Sequence, residues 1–82
     1  MLAGAREVSP KEKAVWVASG RVATGAGDLV SAVAFMSAAL GIDPEDAYCH
    51  YDLGEIHSKL GLWDLAVDDY MRAVKYSPGL VA

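Results

Sequence analysis

Residues 43–78 read "DPEDAYCHYDLGEIHSKLGLWDLAVDDYMRAVKYSP", two apolar-patterned segments parted by Gly61 and bracketed by Asp43-Pro44 and Ser77-Pro78. Shifting the chain against itself by 34 residues shows that the stretch is a second copy of what precedes it. Trp16 then meets His50, Gly20 meets Gly54, Gly27 meets Gly61, Ala32 meets Ala66 and Ala39 meets Ala73. Pro10, Pro44 and Pro78 fall on the same lattice, as do Ser9, Asp43 and Ser77 before them. Repetition at this spacing marks a stacked array in which each unit buries its apolar face against a neighbour.

Local chemistry accounts for the unit. Ser9-Pro10-Lys11-Glu12 has the form of a capping box with proline at the first helical position, so a helix is expected from there to about Ala26, stopped by Gly27. Asp28 can cap a second helix with Leu29, Val33, Met36 and Leu40 along it, ending near Gly41. The second unit is expected to place one helix from about Pro44 to Leu60 and another from about Trp63 to Tyr76, with Leu65, Ala66, Tyr70 and Ala73 on one side. Connections this short make the paired helices antiparallel.

The second unit, with His50, Leu53, Gly54, His57, Ala66, Tyr70 and Pro78, resembles the tetratricopeptide repeat family, whose pattern is W-x2-L-G-x2-Y, then A-x3-F, then P. The first unit follows with Trp16, Ser19, Gly20, Ala23, Ala32, Met36 and Pro44, departing at Ser19 and Ala23. The resemblance implies an all-α fold of two stacked antiparallel helical hairpins in a right-handed superhelix. Residues 1–9 would form an N-terminal arm and 10–82 a single domain, with repeat one at about 13–46 and repeat two at about 47–80. Gly20, Gly54, Ala32 and Ala66 are expected to let the two helices of a hairpin approach, and Ala39 and Ala73 to leave room for the following hairpin; a bulky replacement would cost about 1–3 kcal/mol.

The resemblance also implies a ligand groove lined by the first helix of each repeat: Ala14, Val17, Ala18, Arg21 and Thr24, then Tyr48, Tyr51, Asp52, Glu55 and Lys59. Some family members clamp the terminal carboxylate of a chaperone tail there with lysines and asparagines. Val17 and Asp52 stand at two of those places, and Asp52 would repel a carboxylate. Tyr48 and Tyr51 suit an apolar or aromatic side chain instead. The expected function is an adaptor that binds a peptide or helix of a partner protein; the alternative is a structural subunit or secretion-type chaperone capped by itself or by one constant partner.

Composition narrows the remaining classes. The formal charge is −4 in 82 residues, which disfavours nucleic acid. Neither the start nor the uncharged run Leu29–Ile42 provides a signal peptide or a bilayer-spanning segment, so a soluble, cytoplasmic protein without membrane insertion is expected. Cys49, His50 and His57 match no compact zinc spacing, and the histidines sit where the family places packing aromatics, so no metal and no cofactor are expected. His50 points about 100° away from Cys49 on a helix and is poorly placed to activate it. No phosphate loop, nucleophile elbow or carboxylate pair is present, and no enzyme is expected. Asp64, Asp68 and Asp69, followed by Arg72, read as a solvated helix face.

The last helix is expected to leave Val67, Tyr70, Met71 and Val74 partly uncovered beside Leu80 and Val81, an apolar patch of the kind that marks an interface. Ser77-Pro78 looks like the opening of a further helix. Self-association, completion by another protein, or continuation in a longer array would each cover the patch, and a homo-oligomer or a subunit of a complex is expected.

Overall fold

A computed structural model describes residues 10–79 and shows four helices. They are α1 (Pro10–Gly25), α2 (Leu29–Ile42), α3 (Ala47–Lys59) and α4 (Trp63–Tyr76), and the described residues include no strand. Each helix packs on the next in chain order. The molecule is therefore two hairpins, α1–α2 and α3–α4, joined through the α2–α3 face.

The two hairpin turns are built alike because glycine sits at the same point in each. Gly27 at φ 83° and Gly61 at φ 77° take the left-handed conformation that ends a helix at lowest steric cost. Asp28 N–H then donates to Ala23 C=O at 2.9 Å, and Leu62 N–H to His57 C=O at 2.8 Å, closing the same reversed loop over the last turn. The helix starts differ. Asp28 Oδ1 accepts from Ser31 N–H at 3.2 Å, whereas α4 begins after Leu62 with no side-chain cap.

The start of α3 departs from the expectation. It begins at Ala47, not Pro44, because Asp46 Oδ1 accepts from both Tyr48 N–H at 3.0 Å and Cys49 N–H at 3.2 Å. Asp43 instead closes α2, its N–H donating to Ala39 C=O. Ser77 does the same for α4, its N–H donating to Ala73 C=O, and Pro78 and Gly79 lie in a turn. The capping box at Ser9, the arm 1–9, Leu80 and Val81 lie outside the described residues.

The core lies between the hairpins, where Ala23, Ala32 and Met36 meet Leu53 and Ile56, flanked by Val17, Leu29, Val33, Phe35 and Leu40. Small residues permit the close approach: a Cβ on Gly20 would meet Met36 at 3.0 Å, and one on Gly54 would meet the Tyr70 ring at 2.8 Å. Ala73, like Ala39, is fully buried. One expectation for α4 is corrected. Leu65 is about half exposed, and its place in the buried stripe Ala66–Asp69–Ala73 is taken by Asp69.

Candidate functional site

Five residues predicted to line the groove meet around one depression. Arg21 and Thr24 from α1 face Asp52, Glu55 and Lys59 from α3 across a cavity of about 290 Å³, with Gly25, Met36 and Ile56 completing it. Met36 and Ile56 belong to the core, so the depression has an apolar floor and charged walls. Arg21 Nη2 donates to Asp52 Oδ2 at a long 3.5 Å, leaving the guanidinium largely exposed. Burial raises the Asp52 carboxyl above its ordinary value, and the Arg21 charge opposes that without cancelling it. Thr24 Oγ1 is turned away from ligand chemistry, donating to Gly20 C=O at 2.8 Å.

The other predicted groove residues stand apart from this depression. Val17 packs against the core. Tyr51 is half-buried, its ring 5.4 Å from that of Tyr70, and serves the second hairpin's own packing. Tyr48 is exposed, as are Ala14 and Ala18. Of the open-end residues, Val67, Met71 and Val74 are exposed and share with Tyr70 and Lys75 a shallow, almost wholly apolar depression of about 440 Å³.

Both histidines are structural, each in its own way. His50 is buried, stacks on Tyr76 at 5.6 Å, and its Nε2–H donates to Pro44 C=O at 2.9 Å, a carbonyl outside any helix. Its buried Nδ1 has no hydrogen-bond partner. His57 Nδ1–H donates to Asp69 Oδ2 at 2.6 Å, both side chains being largely buried. Asp69 is thus no part of a solvated face, unlike exposed Asp64 and Asp68. Cys49 is 1 % exposed, and burial with the Asp46 charge pushes its thiol up to about 12, far from a nucleophile's range. Among the described residues no group of three or more His, Cys, Asp or Glu converges as a metal site would require.

Two features escaped the sequence reading. Lys13 Nζ donates to Asp43 Oδ2 at 3.0 Å and approaches Asp46 Oδ2 at 2.8 Å, tying α1 to the start of the second hairpin. These bonds raise the Lys13 ammonium above its ordinary value. Burial pulls the Asp46 carboxyl upward, but Lys13 and the Cys49 N–H outweigh it and hold the group below the usual range. The second is an exposed cluster of Leu62, Trp63 and Leu65 beside the α3–α4 turn, visible in the sequence only as an apolar residue on each side of an expected helix start.

With two antiparallel hairpins and their glycine–aromatic contact described, the second can be compared with known families. Residues 47–79 match the family described as Tetratricopeptide repeat. That segment is a tetratricopeptide repeat. The four helices fit two such repeats, the fold is an all-α helical hairpin repeat, and repeats of this family are in general non-catalytic modules for binding other proteins. No curated protein matches the chain significantly. No described helix is long and apolar enough to cross a membrane.

Proposed function

We propose that the chain is an adaptor that holds a peptide or helical segment of another protein along the groove between α1 and α3. Support comes chiefly from one observation: Arg21 on α1 and Asp52, Glu55 and Lys59 on α3 border a single depression floored by Met36 and Ile56. Met36 and Ile56 are already shielded from water, so the floor gives the depression its shape, the energy of burial comes from covering exposed Tyr48, and fixed charges of both signs on the walls select register and orientation. The negative charge of Asp52 and Glu55 sets the groove against a terminal carboxylate and favours a segment with an apolar anchor flanked by a basic residue. Tyr48 extends the binding surface as an exposed aromatic. The adaptor reading takes residues 10–82 as one domain and a cytoplasmic setting, without metal, cofactor or nucleic acid.

Selection of binders from a displayed random-peptide library against the 82-residue chain tests this. The selected peptides should carry an apolar residue next to Lys or Arg. Glu55→Lys and Tyr48→Ala should each weaken them at least about tenfold, a loss of about 1.4 kcal/mol. Peptides that bind both variants as tightly as the parent would overturn the assignment of the groove.

A further inference from the structure

The 34-residue step that carries the first hairpin onto the second also identifies which equivalent surfaces differ in exposure among the described residues. On α3, Cys49 and Ile56 are 1 % and 2 % exposed. Their equivalents on α1, Val15 and Val22, are 61 % and 73 % exposed. The complementary face shows the same contrast. Val33, Met36 and Leu40 of α2 pack into the inter-hairpin core, whereas their equivalents on α4 are Val67 and Val74, both exposed, and Tyr70, half-exposed. Each end of the molecule thus presents half of an interface whose complete form is the α2–α3 junction inside the chain.

We propose that a second copy of the chain fills both halves, α4 of one copy docking on α1 of the next by the step that relates α2 to α3. Only a head-to-tail contact covers the two faces together; pairing α4 with α4 would leave Val15 and Val22 in water. Charge favours the same arrangement. Arg21 and Glu55 occupy equivalent positions and line one depression within the chain. Across the junction Glu55 of one copy faces Arg21 of the next, so the alternation of sign continues. The clamp made by Lys13 does not carry over, because Ala47 stands in the second repeat where Lys13 stands in the first, and Ser77 where Asp43 does. The contact is therefore weaker than the internal one and reversible. Being heterologous, it does not close on a dimer and grows open-ended oligomers.

This inference goes beyond the groove reading and is tested at residues outside it. Sedimentation of the 82-residue chain from micromolar to millimolar concentration should show an average mass that rises past twice 8.7 kDa. Val22→Glu and Val67→Glu, each at an exposed site and each checked for helicity by circular dichroism, should separately weaken self-association at least about tenfold. Mixed one to one they should form a capped pair that grows no further, since the intact α4 of one meets the intact α1 of the other. Val15→Glu and Val74→Glu repeat the test if either variant loses helicity. A wild-type chain that stays monomeric throughout, a Val22→Glu chain that assembles like the parent, or a mixture that fails to pair would each overturn the proposal.

Discussion

Replacing Gly54 with alanine isolates the closest approach in the second hairpin. An added Cβ would lie 2.8, 2.9 and 3.0 Å from Cε1, Cδ1 and Cζ of Tyr70. Carbon atoms rest at about 3.5–4.0 Å, so the ring must retreat by about 0.7 Å or more. It cannot do so freely, because it leans on Tyr51 with centroids 5.4 Å apart, a contact worth about 0.5–1.5 kcal/mol. Overpacking of this kind costs about 1–3 kcal/mol, while alanine gains about 1 kcal/mol of helix propensity over glycine. The net is a loss of up to about 2 kcal/mol. In a domain of this size each kcal/mol moves Tm by about 4–8 °C, so the midpoint should fall by up to about 15 °C. Gly20→Ala is the matched control, since its Cβ would meet the flexible Met36 side chain at 3.0–3.2 Å and that thioether can swing aside. Its midpoint should change by no more than a few degrees. Thermal melts followed by circular dichroism decide the matter: Gly54→Ala melting at or above the parent, or Gly20→Ala falling further than Gly54→Ala, would refute the steric reasoning. In a Tyr70→Leu background the Gly54→Ala penalty should shrink or change sign.

Two other perturbations bear on the polar contacts. His57→Ala strands the buried Asp69 carboxylate and should cost about 1–3 kcal/mol in urea unfolding, whereas the double change His57→Leu with Asp69→Leu should recover most of that loss. Lys13→Ala should cost about 0.5–1 kcal/mol near neutral pH, since the ammonium is partly exposed and screened. Because the folded Asp46 carboxyl sits below its ordinary 3.8, its contribution is complete above that pH and is lost as the pH falls through the lowered value. The raised Lys13 ammonium contributes fully below its ordinary 10.5 and loses its share only above it. The gap between parent and Lys13→Ala should thus be flat from about pH 6 to 9 and narrow at both extremes; a gap unchanged at pH 3 would exclude the clamp as its source.

The hairpins were legible in the sequence because their determinants are local. Gly27 and Gly61 end helices by a backbone conformation, and the spacing of Gly20 and Gly54 from Ala32 and Ala66 reports helices that touch. The start of α3 was misplaced because two capping candidates, Asp43 and Asp46, stand three residues apart. Only the fold shows that the first is engaged in closing α2. Asp69 was assigned to a charged face by its neighbour Asp68, yet its spacing from Ala66 and Ala73 puts it on the buried stripe. A carboxylate there needs a donor, and His57 on another helix supplies it; no local pattern announces such a pairing. Arg21, Asp52, Glu55 and Lys59 were drawn together by the repeat register, whereas the bond from Lys13 to Asp43 and Asp46 spans two hairpins and left no periodic trace.

Lys13 and Arg21 stand eight residues apart on α1, about 12 Å along its axis, and each reaches the second hairpin. Near Lys13 the tie is short and doubled; near Arg21 it is single and stretched to 3.5 Å. Asp43 ends α2 and Asp46 caps α3, so the one ammonium of Lys13 gathers both ends of the loop that joins the hairpins. That edge is pinned by charge, whereas the edge around Arg21 depends on a single long ion pair and on the apolar core beneath it.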